Sequence, residues 1–327
     1  MDSTHLPTVF LPRKYPQAGL DRLKKFCQVV IFPEERPITR DEFLNSIPGT
    51  YALFVNPMDR IDKEALDIAG PTLKVVGTFS SGLEHIDLEE CRKRGIQVGC
   101  VPDTLTKAVA EMAVGLLLAA GRRFQEGIES VHNGVWGTKW ENALWLAGKQ
   151  VSGSVIGIVG LGRIGMAAAK RLAAFEPARI LYCGNSDKPE AKAVKAKFVS
   201  FHELLETSDF ILVTCSLNES NRGMFDADAF KRMKNDAVFV NITRGALVDH
   251  DALYEALLNH QIGAAAIDVT TPEPLPTNHK LLTLKNLLVT PHIASATVET
   301  RNAMCNLTVD NILAGLSGQP LPSPAYV

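Results

Sequence analysis

A β-branched run of Val155, Ile156, Ile158 and Val159 leads into Gly160, Gly162 and Gly165 in the pattern G-x-G-x-x-G, and Met166–Phe175 (MAAAKRLAAF) follows with helical character. Few sequence features restrict a fold more. The apolar run suits a strand buried on both faces. The glycines serve a tight turn, room for pyrophosphate against bare backbone, and close helix–strand contact. A helix starting there turns free N–H groups and the positive end of its dipole toward phosphate. Alone the hexapeptide could be a simple turn; with strand before and helix after, it predicts a dinucleotide site.

The 327 residues are enough for two domains with sizeable cores. A net charge of −2 gives no global pull toward nucleic acid or anionic membrane, so neither is expected as a partner. Six cysteines, at 27, 91, 100, 183, 215 and 305, show neither C-x-x-C nor metal-ligand spacing. Cys183 and Cys215 sit in apolar strand-like runs, which predicts buried free thiols in a reducing compartment and no metal. The opening MDSTHLP has no apolar signal-peptide core, and the terminal AYV differs from a peroxisomal S-K-L. The longest apolar segment, Val109–Ala120, contains Glu111 and is too short to span a bilayer. A soluble, cytoplasmic protein is expected.

The first hundred residues alternate strand and helix patterns. Strands are predicted at Thr8–Leu11, Gln28–Phe32, Tyr51–Val55, Leu73–Phe79 and Ile96–Val101, with helices near Ala18–Phe26, Arg40–Asn45, Asp62–Ala69 and Leu88–Arg94. Such alternation implies a parallel, doubly wound sheet, whose ligands bind beyond the carboxyl ends of the strands. At one strand end stands Ser80-Ser81-Gly82, a turn whose N–H groups suit a carboxylate or simply reverse the chain. Thr106–Arg123 reads as a long helix into a second domain, with Ala110, Ala113, Val114, Leu117 and Leu118 on one side. The stretch Val131–Trp145 holds all three tryptophans and shows no strong period. It reads as a homodimer arm, the alternative being packing within one subunit.

Beyond the glycine loop, a strand begins at Ile180–Tyr182, and further strands are predicted at Phe210–Thr214, Ala237–Ile242, Ala264–Val269 and Leu287–Thr290. NAD-specific sites carry an acid about 20 residues past the loop for the ribose 2′-hydroxyl. Here the strand runs into Gly184-Asn185-Ser186, with no acid at that place. Ser186 and Lys188 suit a 2′-phosphate, whereas Asp187 argues the other way, so NADPH is favoured and NADH is possible.

Three strand ends carry candidate chemistry: Arg244 after Ala237–Ile242, Glu273 after Ala264–Val269, and His292 after Leu287–Thr290. A 2-oxo acid reductase needs a cation for the carboxylate and carbonyl, a proton donor active near neutral pH, and a carboxylate that keeps the donor charged. Arginine, histidine and glutamate supply these. Each also has a plainer use, as a turn cap, a satisfied loop histidine or a solvated acid.

With these motifs in view, the chain resembles the D-2-hydroxyacid dehydrogenase family over nearly its whole length. The resemblance rests on GLGRIG at 160–165, NITRGALVD at 241–249, DVTTPEPLPTNHKLLTLKN at 268–286 and PHIASAT at 291–297. NGVWGTKWENALWL at 133–146 is closest to the branch that reduces glyoxylate and hydroxypyruvate.

The resemblance implies two doubly wound parallel-sheet α/β domains with a cleft between them. One is a flavodoxin-like substrate domain of 1–105 plus 298–327, and the other a Rossmann cofactor domain of 106–297 with a dimerisation arm at 122–152. It implies that Arg244 orients substrate, that Glu273 pairs with the general acid His292, and that the Ser81 and Gly82 amides bind the substrate carboxylate. Ser295 becomes a further substrate contact, and Trp140 reaches the neighbouring subunit's site. Thr243 and Asp268 fall beside the nicotinamide carboxamide, and Thr106 at a cofactor-contacting hinge. Gly160, Gly162, Arg163, Ile164 and Gly165 form the phosphate loop, with Asn185 and Ser186 near the adenosine ribose.

Two departures stand out: Glu84 replaces the usual Asp of V-G-x-D, and Asn185 replaces an arginine common in the branch. Two other functions fit: an NAD-dependent dehydrogenase of another D-2-hydroxy acid, and a dinucleotide-sensing interaction protein like the corepressors sharing this fold. The latter carry long tails, whereas this chain ends shortly after its last helical segment.

Overall fold

Strands made wholly of apolar residues need cover on both faces, and the helices between them provide it. The computed structural model describes residues 6–326; MDSTH and Val327, on which the leader and terminal-signal readings partly rest, lie outside the described residues. Two compact units result, one of residues up to Leu105 together with those from Ala296, the other Thr106–Ser295.

In the first unit, β1 (Thr8–Leu11), α1 (Gln17–Leu23), β2 (Gln28–Ile31), α2 (Arg40–Ser46), β3 (Ala52–Val55), α3 (Lys63–Ala69), β4 (Val75–Thr78), α4 (Leu88–Lys93) and β5 (Gln97–Gly99) alternate. The sheet is parallel in the order β2-β1-β3-β4-β5. Side-chain caps start several helices: Thr39 and Glu42 close a capping box on α2, and Asp62 and Asp87 cap α3 and α4.

The second unit runs α5 (Thr106–Gly121), α6 (Phe124–His132), α7 (Trp136–Lys139), β6 (Val155–Val159), α8 (Arg163–Ala173), β7 (Arg179–Cys183), β8 (Ala196–Phe198), α9 (Phe201–Thr207), β9 (Phe210–Val213), α10 (Ala227–Arg232), β10 (Val238–Asn241), α11 (His250–Leu258), β11 (Ala264–Ile267) and β12 (Leu287–Val289). Its seven parallel strands lie in the order β12-β11-β10-β9-β6-β7-β8. The order reverses direction between β6 and β9, the switch point where such sheets bind ligands. β6, β9, β10 and β11 are buried along their whole length.

The chain then returns to the first unit as α12 (Val298–Leu316), capped by Thr297. Thr308 and Asn311 are fully buried there; the Asn311 amide donates to Cys100 O and accepts from Ser323 N. Within the stretch read as having no strong period, Trp136–Lys139 forms the short helix α7, and α6 precedes it. Phe124, Ile128 and Val131 stand on one exposed face of α6, and Trp136 meets Trp140 edge-on at 5.9 Å. Among the described residues no helix is long and apolar enough to cross a membrane.

Asp209 ties together the strand starts of the second unit. Its carboxylate accepts from Val155 N at 2.7 Å and meets Lys234 and Lys149 at 2.9 and 3.0 Å. Burial raises its pKa, but those bonds win and hold it at about 2, below the ordinary 3.8. The folded value is depressed, so its stabilisation is present above pH 3.8 and lost as pH falls through about 2. Asp209→Asn is expected to cost about 2 kcal/mol at pH 7, and urea unfolding will show the difference from wild type vanish in strong acid.

Candidate active site

The glycine turn follows β6, beside the central strand β9 of the seven-stranded sheet. Gly160 has φ +95°, and a Cβ there would lie 2.6 Å from Cys215 N and Cα, so only glycine fits between β6 and the turn after β9. The helix begins at Arg163 rather than at Met166. Arg163, Ile164 and Gly165 therefore form its first turn, because the backbone contacts of the glycine turn outweigh the low helix propensity of Gly165.

This turn fits an anionic dinucleotide. α8 has Gly162 at its N-cap, no side-chain cap bond and no acid in its first turn, so its leading N–H groups are available to phosphate. A Cβ on Gly162 would meet nothing within 4 Å, which leaves open space over bare backbone. At the start of α5 the Thr106 hydroxyl oxygen is buried without a hydrogen-bond partner. Asn185 and Ser186 lie exposed just beyond β7.

Three neighbouring strands, β10, β11 and β12, deliver the candidate chemistry at their carboxyl ends. After β10, the Asn241 side chain accepts from Thr243 N at 3.1 Å and donates to Arg244 O at 2.9 Å, which fixes the turn that presents Arg244. After β11, Glu273 follows the cis Thr271–Pro272 peptide and precedes the cis Glu273–Pro274 peptide. Its Oε1 accepts from Thr270 N at 2.8 Å, and its Oε2 lies 2.9 Å from His292 Nδ1. A carboxylate only accepts, so Nδ1 carries the hydrogen and Nε2 points away from Glu273. Burial raises the Glu273 pKa, but the His292 and Thr270 bonds and the charges of His292 and Arg244 outweigh it and hold it below the ordinary 4.5.

His292 sits in the left-handed region at φ +55°, an uncommon conformation for a side chain with a Cβ. Asp268 holds it there. This fully buried carboxylate accepts from Ile293 N at 2.9 Å, Ala294 N at 2.7 Å and Thr290 Oγ1 at 2.5 Å, while His292 N donates to Asp268 O at 2.8 Å. The His292 side chain is 43% exposed and that of Glu273 31%, so both are reachable by a ligand.

The structure thus brings together Arg244, Glu273 and His292, with Thr243 and Asp268 in the same loops. Ser81 and Gly82 belong to the first unit, in a turn where the Ser80 hydroxyl donates to Gly82 O at 2.5 Å. Ser295 follows the Asp268-bound Ala294, half-buried, and Trp140 is 70% exposed on the arm.

Residues 114–294 match the family described as D-isomer specific 2-hydroxyacid dehydrogenase, NAD binding domain. A human protein named glyoxylate reductase/hydroxypyruvate reductase is 48% identical over 326 residues, 99% of each chain. The chain belongs to the D-2-hydroxyacid dehydrogenase family. Among solved structures, a protein from Thermus thermophilus superposes with a TM-score of 0.91 at 38% identity, covering 97% of this chain and 99% of that one. An NADPH-dependent glyoxylate/hydroxypyruvate reductase from Sinorhizobium meliloti, solved with NADP and malonate, gives 0.83 at 31% identity, covering 98% and 97%. The chain is accordingly a dehydrogenase of D-2-hydroxy acids with a nicotinamide cofactor, and its two parallel-sheet α/β units are the family's fold.

Other residues of this dehydrogenase shape the site without having been singled out from its sequence. A Cβ on Gly245 would lie 2.1–2.6 Å from the Thr270 backbone, so glycine lets the Arg244 turn touch the loop that carries Glu273. Gly245 stands inside NITRGALVD, and its place directly after the candidate arginine is the one sequence signal that pointed to it. Asn241 is apolar-flanked in a strand run and fully buried, a polar residue where only a structural bond makes sense.

Proposed function

We propose that this dehydrogenase reduces glyoxylate to glycolate and hydroxypyruvate to D-glycerate with NADPH. The observation that carries the reading is the His292–Glu273 pair beside Arg244 on adjacent strand ends. The names of the human and Sinorhizobium relatives support the choice of substrates.

The nicotinamide, when bound, supplies the hydride. Everything else is the work of this chain. Gly160, Gly162, Arg163, Ile164 and Gly165 hold the pyrophosphate, and Thr106 offers its orphaned hydroxyl to the cofactor. Asn185 and Ser186 would meet the 2′-phosphate, and Thr243 and Asp268 would lie beside the carboxamide. Arg244 grips the substrate carboxylate and carbonyl with its planar guanidinium, and the Ser81 and Gly82 amides and Ser295 add donors. His292 Nε2, the nitrogen opposite Glu273, gives its proton to the carbonyl oxygen as that oxygen gains charge. Glu273, held below its ordinary pKa, stays ionised throughout the neutral range and keeps Nδ1 bonded, so that Nε2 is the nitrogen turned to the substrate.

The exposed apolar face of α6, with Trp136 and Trp140, supports a homodimer in which the arm at 122–152 meets a second copy and Trp140 reaches its site. Sedimentation at twice the chain mass tests this. The protein works in the cytoplasm on this reading.

The decisive assay follows absorbance at 340 nm with NADPH or NADH against glyoxylate, hydroxypyruvate and a branched 2-oxo acid. The highest kcat/KM is expected with NADPH and the two small acids. Faster turnover of the branched acid, or of NADH, overturns the corresponding part of the proposal.

A further inference from the structure

The loop after β7 contains a carboxylate that ought to oppose a 2′-phosphate. Asp187 stands two residues past Asn185, close to where an NAD-selective acid would be. Its side chain is nonetheless already engaged. The Tyr182 hydroxyl hydrogen-bonds Asp187 Oδ1, and the same hydroxyl accepts from Lys188 N at 2.8 Å. Lys188 N also donates to Asp187 Oδ1 at 2.8 Å.

Tyr182 is well placed to hold this arrangement. Its residue is 1% exposed at the end of β7, and its ring packs on Phe198 of β8 at 5.3 Å, so the hydroxyl is fixed in space by the sheet. Burial first, and then the bond to Asp187, raise its pKa, so it keeps the proton it donates. Gly184, Asn185, Ser186, Asp187 and Lys188 are all exposed, and the Tyr182 hydroxyl anchors the far end of this otherwise solvent-facing loop.

We infer that Tyr182 is a positioning residue for cofactor choice: its hydroxyl holds the Asp187 carboxylate away from the adenosine ribose, so that the loop after β7 accepts a 2′-phosphate. The inference rests on the NADPH reading above and adds a cause to it. An acid at the ribose would bond the 2′-hydroxyl of NADH and repel the phosphate of NADPH. Held by Tyr182 and Lys188 N, the same acid does neither. Freed, it needs only a local turn of an exposed loop to do both.

The test is calorimetric titration of the purified enzyme with NADP+ and NAD+, which reads binding rather than turnover. Tyr182→Phe keeps the ring and removes only the hydroxyl. It is expected to reduce the ratio of NADP+ to NAD+ affinity by about three- to tenfold, the range for one like charge brought near a solvent-exposed phosphate. Tyr182→Phe/Asp187→Asn is expected to recover the wild-type ratio, because the freed group is then neutral. Asp187→Asn alone should stay within about twofold of wild type, since its charge is already held off.

An unchanged ratio in Tyr182→Phe overturns the inference. So does a double variant that fails to recover, which would mark a loosened loop rather than a released charge. A large gain in NADP+ preference from Asp187→Asn alone would show the carboxylate already at the ribose, and also overturns it. A wild-type enzyme that prefers NAD+, yet loses further NADP+ affinity in Tyr182→Phe and regains it in the double variant, sinks the NADPH reading and leaves the role of Tyr182 standing.

Discussion

Replacing His292 with alanine will lower kcat by about 10²–10⁴-fold, the usual contribution of a positioned proton donor, while dinucleotide affinity stays near wild type. The separation follows from the site. His292 meets Glu273 after β12 and β11, whereas the glycine turn follows β6 and is built on Cys215 and Gly160 backbone. Because His292 has φ +55°, His292→Asn is the useful companion: asparagine tolerates left-handed backbone but offers no imidazolium. Both variants should lose activity alike. Asparagine restoring turnover would show that the backbone turn, and not the proton, is what His292 provides. Glu273→Gln removes the carboxylate that accepts from Nδ1, so kcat is expected to fall while dinucleotide affinity holds. Steady-state kinetics across pH, with dinucleotide titration alongside, reads all three.

Gly245→Ala is the second large effect, and it touches no substrate group. The added methyl would lie 2.1–2.6 Å from Thr270 backbone atoms, and neither loop has a flexible side chain there to yield. One loop must move by about an ångström, enough to cost about 10²-fold in kcat/KM when it carries a catalytic group. Overpacking should also cost about 1–3 kcal/mol of stability. Thr270 N is bonded to Glu273 Oε1, so the displacement reaches the His292–Glu273 pair directly. Kinetics and urea unfolding on the same preparation check it. Wild-type values in both would mean that the two loops need not touch.

Much of this was legible in the chain because apolar runs and strand ends are local signals. The strands of the first unit fall within a residue or two of their sequence expectations. Arg244, Glu273 and His292 were singled out by position, each past a strand, and the sheet order sets those strands side by side. What escaped depends on contacts that no local pattern carries. β8 is mostly exposed and lacks a buried alternation, so Ala196–Phe198 gave no strand signal. α6 hides in a segment whose apolar face is turned outward. The first turn of α8 contains Gly165, which argues against helix until the backbone around it is known. Asp187 looked like a ribose acid, and only the path of its loop shows Tyr182 holding it.

The return of α12 to the first unit has a consequence for how the molecule is made. Val75–Thr78 and Gln97–Gly99 leave the ribosome before the whole second unit, and the helix that buries Thr308 and Asn311 against this region leaves only after it. The second unit can therefore finish folding while the first still waits for its cover. During that interval the five-stranded sheet keeps one face without the helix that covers it, a surface open to aggregation until α12 arrives.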